Sequence, residues 1–267
     1  MLKSRLSIAI CFLANFIFTA AVASADAARS FSGEQIVRKC LENGKHHNDM
    51  VQEVTMRLID EEGDVQERSM RMKALLTEEK EKFSLITFTA PRREKGIALL
   101  TVAKADSKSG DQFLYLPSTR RVKRILGASR SASFRGSEFT FEDLSDQSLE
   151  NYRFEYVGKA KCGQWQCYLV DRFPKQDGSN YQRTRLWIDQ EHFRLVKADF
   201  HDHDGAFLKT LAAHSFKLEK NNFWYPRKLV MQNHLNGKRT EMLVNDVAFN
   251  PGLKVADFSE RALRRGR

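Results

Sequence analysis

Apolar and polar residues alternate along most of this chain with a period of two, after one short stretch in which the period is helical. Between Phe31 and Asn43, the residues Ile36, Val37, Cys40 and Leu41 fall on one helical stripe. Ser32 followed by Gln35 has the order of a capping box, and Asn43-Gly44 is a helix stop. From Val51 the period shortens. Val54, Met56 and Leu58 alternate with Thr55, Arg57 and Ile59. After a turn at 60–64, Met70, Met72, Ala74 and Leu76 alternate with Arg71, Lys73 and Leu75. This predicts a hairpin with one wet and one apolar face. The methionines sit on the dry side, where they either fill a core or line a surface that adapts to apolar ligands.

Three segments break the alternation. Phe83–Thr89, Gly96–Val102 and Phe113–Leu116 are apolar on both faces, so both faces of the sheet centre need cover. Helices to provide it are scarce: residues 31–43 and a second candidate at 139–149. Either these cover one face completely, or part of that face lines a cavity. The second half is a further meander. Its turns are marked by Asp177-Gly178, Asp204-Gly205, Asn221-Asn222 and Asn236-Gly237, and Pro251-Gly252 ends the sheet. About ten strands joined by short connections form an antiparallel sheet that must curl. The expected fold is mainly β with α+β character: a strongly curved antiparallel sheet forming an unclosed barrel, with one or two helices covering the concave side.

The middle of the chain, Asp111 to Leu144, changes character several times. An apolar strand ends at Pro117, which has no amide to give to a ladder. A basic segment with Arg120, Arg121, Lys123 and Arg124 follows, then a Ser/Gly-rich loop at 127–137, then the acidic, aromatic Glu138-Phe139-Thr140-Phe141-Glu142-Asp143-Leu144. The run contains no His, no Cys and no nucleophile with a base at readable spacing. Its order, YLP then RRVKRI then FRGSEFTFEDL, resembles the central signature of the outer-membrane lipoprotein-sorting proteins, of the lipoprotein-carrier superfamily typified by LolA and LolB. The likeness extends from about Ser32 to about Asp257, and the chain length matches the transporter-associated relatives better than the shorter lipoprotein carriers.

That resemblance implies an unclosed barrel with helices in its mouth. It implies a periplasmic carrier or chaperone that binds the acyl chains of a lipid or acylated protein in an apolar concave cavity, serving an inner-membrane transporter of the RND type. The cavity candidates are Met56, Met70, Met72, Phe88, Leu99, Phe113 and Tyr115. Rim and lid candidates are Arg120, Arg121, Arg124, Phe139, Phe141 and Asp143. Segment 138–144 reads either as a plug at one end of the barrel or as a lid hinged on the Ser/Gly loop. Asp143 paired with Arg120 or Arg121 would latch such a lid. The alternative is an envelope scaffold whose bent sheet docks another protein and holds no cargo.

The amino terminus adds the compartment. Lys3 and Arg5, the apolar stretch 6–22 and Ala23-Ser24-Ala25 have the order of a cleaved secretory signal, residues 1–25. The open-barrel domain is then 26–257, followed by a basic tail at 258–267. Net charge is +10, or +8 once Lys3 and Arg5 are removed with the leader. A basic exported protein suits an anionic membrane surface or an acidic partner; the compartment and the lack of a binding module argue against nucleic acid. In an oxidising compartment Cys162 and Cys167, with four residues between them at a turn, are natural disulfide partners. Their spacing is not C-x-x-C, and no second pair makes a zinc site. Cys40 is left as a buried thiol on the helix.

Candidate chemistry is sparse. His201-Asp202-His203-Asp204-Gly205 is the sole metal-like cluster, without a distant ligand set, and His46-His47 is weaker. No G-x-S-x-G, P-loop, dinucleotide fingerprint or zinc-protease helix occurs. The expectation is a binding protein with no catalytic residue, metal or cofactor.

Overall fold

In a computed structural model, residues 31–43, 47–104, 110–145, 148–175, 177–219 and 222–265 are described. The leader read at 1–25, His46 and most of the turn at 104–110 lie outside them.

The chain opens with helix α1 (Gly33–Asn43). Ser32 and Gln35 close the expected capping box: the Gln35 amide donates to Ser32 Oγ (3.2 Å) and the Ser32 amide donates to Gln35 Oε1 (2.8 Å). Six strands follow: β1 (Asp49–Ile59), β2 (Val65–Leu76), β3 (Lys82–Ala90), β4 (Ala98–Ala103), β5 (Asp111–Leu116) and β6 (Arg121–Ile125). After a long connection come β7 (Tyr152–Cys162), β8 (Trp165–Pro174), β9 (Arg183–Asp189), β10 (Leu195–His201), β11 (Phe207–Leu218), β12 (Trp224–Asn233) and β13 (Arg239–Phe249). A 3₁₀ turn (Val255–Phe258) and helix α2 (Glu260–Arg265) end the chain.

The 13 strands of the described residues form one antiparallel sheet in the order β6-β5-β4-β3-β2-β1-β13-β12-β11-β10-β9-β8-β7. The first and last strands therefore pair at its centre, and the two edges, β6 and β7, are consecutive in sequence. A sheet of this size must coil, and register shifts at Glu53/Val54, Tyr156/Gly158 and Leu195/Lys197 add local bend. The sheet does not close. The connection from β6 to β7 is thereby obliged to travel from one edge to the other, and it does so across the concave face.

Alternation decides which side chains meet. The inner set (Val54, Met56, Met70, Ile86, Phe88, Leu99, Leu114, Leu186, Ile188, Phe200, Met231 and Met242) forms one continuous core with Ile36 and Val37 of α1. The outer set is smaller and divided. Phe83, Leu85, Ala98 and Leu100 pack against Phe258 and Leu263, while Cys162, Cys167 and Val196 form a separate patch. This accounts for the strands that are apolar on both faces: Phe134, Phe139 and Phe141 of the β6–β7 connection cover the concave side of β3–β5, and α2 with its preceding turn lies on the convex side, while α1 covers the concave side at β7–β9. Gly33 lets α1 approach closely, since a Cβ there would stand 2.9 Å from the Glu155 carbonyl carbon and the Tyr156 amide.

Two local expectations change. Arg121–Ile125, read from its charges as a basic segment, is a strand at the sheet edge, where Lys and Arg are well tolerated and oppose pairing with other chains. The helix expected at 139–149 is absent among the described residues. Thr140 and Asp143 bond each other's backbone instead: the Thr140 amide donates to Asp143 Oδ2 (2.7 Å) and the Asp143 amide to Thr140 Oγ1 (3.2 Å). Such local bonds give the backbone an alternative to a helix.

Candidate functional site

The site is the concave face and the connection that crosses it. Phe134, Phe139 and Phe141 of that connection are buried in the inner core, Phe134 stacked on Phe88 with ring centres 5.6 Å apart. Polar contacts hold the segment down. Gln112 Nε2, wholly buried on β5, donates to the Phe141 carbonyl (2.9 Å), and the Glu138 amide donates to Thr240 Oγ1 (2.9 Å). Glu142 accepts from the Ser179 hydroxyl and from the Asn180 amide (2.9 Å).

The deepest of these anchors is centred on Asp143. Lys209 Nζ lies 2.6 Å from Asp143 Oδ2 and also donates to the Glu138 carbonyl (3.0 Å). Both side chains are buried, at 6% and 5% exposure. Tyr181 donates its hydroxyl to Asp143 Oδ1 (2.9 Å). Burial, and then the Asp143 charge, push the Tyr181 phenol far above its ordinary pKa, so it stays a donor. An ion pair taken out of water is tolerable only when its remaining lone pairs and protons are satisfied, and this one is.

Two cavities flank the segment, and Asp143 lines both. The smaller, about 120 Å³, lies towards β8–β12 with a wall of Phe139, Leu186, Leu195, Phe200, Leu211 and Met231. The larger, about 380 Å³, opens at the other end of β2–β4 between Met72, Ala74, Leu76, Ile86, Ala103 and Leu144. The larger volume lies in the range of small-molecule sites.

The residues read from sequence divide between these regions. Met56, Met70, Phe88 and Leu99 are on the concave face but form the packed wall beneath the segment, each 1% exposed or less. Met72 lines the larger cavity. Phe113 and Tyr115 are on β5 with the opposite parity and pack in the outer cluster under α2, away from both cavities. Phe139 and Phe141 are buried in the inner core on the concave face. Asp143 is paired with a cation, but that cation is Lys209, not Arg120 or Arg121. Those arginines stand at the far edge of the sheet: the Arg120 carbonyl accepts from Arg264 Nη1 of α2 (3.0 Å), Arg121 is exposed on β6, and Arg124 pairs with Asp111 (2.5 Å).

Lys209 and Tyr181 escaped sequence reading. Lys209 had a visible signal, the lone charge in the mostly apolar Phe207–Ala213, but its anion is 66 positions away. Cys162 and Cys167 form the disulfide that ties β7 to β8. Burial pushes the Cys40 thiol up to about 12. The His201 ring lies tilted against Phe207, with ring centres 5.4 Å apart, and His203 Nε2 meets the Ser179 carbonyl (2.9 Å). Among the described residues no group of three or more His, Cys, Asp or Glu side chains is placed to hold a metal.

A family model described as "Uncharacterized protein" matches residues 80–265. No curated protein matches. Among solved structures, an outer membrane lipoprotein-sorting protein domain from Vibrio parahaemolyticus is 33% identical, with TM-score 0.83 over 87% of this chain and 98% of that one. A DUF1329 family protein from Desulfovibrio piger shares the fold at 22% identity and TM-score 0.80, covering 88% of this chain and 100% of its own. A LolA superfamily protein from Nitrosomonas europaea does so at 19% and 0.70, covering 87% and 100%. An unclosed antiparallel barrel, a concave apolar face crossed by the 138–144 segment, and one-third identity across nearly the whole fold lead to one assignment: this chain belongs to the outer membrane lipoprotein-sorting protein family, and it shares its fold with a LolA superfamily protein.

Proposed function

We propose that the protein is a periplasmic, non-catalytic carrier that takes the acyl chains of a lipid or acylated protein onto its concave face, with segment 138–144 as a displaceable lid. One open-barrel domain would follow a cleaved leader at 1–25. The observation that carries this reading is the pair of largely apolar cavities, about 120 and 380 Å³, separated by a segment held through a handful of polar contacts. Lifting that segment would join the two hollows and expose Phe139 and Phe141 as part of the wall. Burial of apolar area contributes roughly 25 cal/mol per Å² and each buried methylene about 0.8 kcal/mol. Against this stands the cost of breaking the Asp143–Lys209 pair, roughly 3–5 kcal/mol when one partner is left alone. Such a cost offsets part of the gain, which suits a cargo that must be released. The disulfide at 162–167 agrees with an oxidising compartment. An RND-type transporter as donor or acceptor of the cargo belongs to the same proposal, on the resemblance of the chain alone.

The test is native mass spectrometry of protein purified without detergent, followed by uptake of a fluorescent fatty acid. An acyl compound should co-purify, and Ala74→Phe, which fills the larger cavity, should cut uptake at least about tenfold with the unfolding temperature unchanged. A protein that is empty and takes up no fatty acid, while retaining a protein partner, would make the docking scaffold the better reading.

A further inference from the structure

At the opposite end of β2 from the larger cavity, three arginines converge on one carboxylate. Arg135, held in the left-handed region at φ 55°, points its guanidinium at Glu94: Nη2 lies 3.0 Å and Nε 3.1 Å from Oε2. Arg93 approaches the same carboxylate at 4.0 Å and donates to Gln66 Oε1 (3.0 Å). Arg68 donates through Nη1 to the Arg135 carbonyl. Glu94 and Arg68 are buried, at 5% and 7% exposure. These four formal charges sum to two positive.

Arg68 is the least satisfied member. Its Nε is buried without a hydrogen-bond partner, and Glu94, the charge that favours its cationic form, is already taken up by Arg135. Burial, then the neighbouring Arg135 and Arg93 against Glu94, lower its pKa. A cation so placed gains from one more anion. The guanidinium fork matches phosphate and carboxylate oxygens, and Arg93 and Arg135 stay accessible to supply it.

The position of the cluster decides what kind of anion fits. Arg68 stands opposite Met56 and has the same inward parity as Met70 and Met72. Met72, on the wall of the larger cavity, is four residues along the same strand, about 13 Å away. We propose that Arg68, Arg93 and Arg135 form an anion subsite that receives the phosphate head of an amphiphile whose chain runs along this methionine wall. The subsite rests on the carrier reading above and narrows its cargo from acyl compounds in general to phosphorylated ones.

Isothermal titration of the mature protein with decyl phosphate, decanol and inorganic phosphate, each kept monomeric, tests it. Decyl phosphate is expected to bind at least about tenfold more tightly than decanol. Arg93→Gln, at an exposed side chain, should remove part of that preference, and Arg93→Gln with Arg68→Met most of it, with decanol affinity unchanged. Should Arg68→Met fail to fold, Arg93→Gln alone carries the test. Equal affinity for the two decyl compounds, or a preference that survives Arg93→Gln intact, overturns the subsite and leaves the carrier standing. Inorganic phosphate bound as tightly as decyl phosphate marks a free-anion site and overturns the lipid head. If decanol itself does not bind, the carrier reading fails and the subsite with it.

Discussion

At the scale of single residues, the buried ion pair is the point of greatest leverage. Asp143→Asn leaves Lys209 as a buried cation whose carboxylate partner has become a neutral amide. It should lower unfolding free energy by roughly 3 kcal/mol in urea titration and speed amide exchange in 138–144. Asp143→Leu with Lys209→Met removes both charges and should recover much of that loss while leaving fatty-acid uptake in place. If the single variant leaves both stability and exchange unchanged, the latch does not exist. Two other aspartates govern acid behaviour. Burial alone would raise the carboxyl of Asp171, but hydrogen bonds and charge from Arg185, then Arg183, outweigh it and hold its pKa below the ordinary value. For Asp189, burial is outweighed in the same way by the Arg194 side chain and the His192 and Arg194 amides. A depressed folded pKa contributes stability that is fully present above the unfolded value, near 4, and is lost as pH falls through the folded one. Urea midpoints should therefore hold level from neutral pH down to about 5 and drop below about 4. Asp189→Asn should flatten the drop.

At the scale of elements, each piece of cover on the sheet depends on one local device. Helix α1 reaches β7 because Gly33 has no side chain, so Gly33→Ala must push the helix outward by several tenths of an ångström. The expected result is a lower melting temperature, with increased exchange at Ile36 and Val37 and none at the outer cluster under α2. Unchanged stability would show that the contact is slack. The disulfide at the β7–β8 turn closes a short loop, for which chain entropy gives about 2 kcal/mol. The paired Ser substitution should cost no more than that, confined to the β7–β8 hairpin. Here too lies the reason one element was misread. Residues 139–149 carry Phe139, Phe141, Leu144 and Leu149, enough apolar positions to suggest a helix. The Thr140–Asp143 bonds and the pull of Gln112 and Lys209 from distant strands settle a different backbone. Local pattern cannot weigh partners that far away.

At the scale of the whole molecule, the pairing of β1 with β13 makes β6 and β7 the two free edges and sends their connection over the hollow side. The carrier reading then predicts opposite responses to ligand in two places. A fatty acid at about 100 times its dissociation constant should raise unfolding free energy by roughly 2.7 kcal/mol. Exchange protection should fall in 138–144 as the lid lifts and rise along β2 and β3. Protection rising in the segment as well would mean that ligand binds beneath a closed plug, without displacing it.

The chain's own pattern determined the capped first helix, the one-faced β1–β2 hairpin, the need for cover on both sides of β3 to β5, the pairing of two cysteines around a turn, and the curled antiparallel sheet. All of these follow from short-range periodicity, turn chemistry and the bulk of apolar side chains, which neighbouring residues are enough to specify. Only the tertiary structure decided that Phe113 and Tyr115 face α2 rather than the hollow, because parity along β5 is set by its registers with β4 and β6. It also decided that Asp143 meets Lys209, and that Arg68, Arg93, Arg135 and Glu94 share one corner. Such pairings join positions tens of residues apart, and they come from how the sheet bends and which strands become its edges.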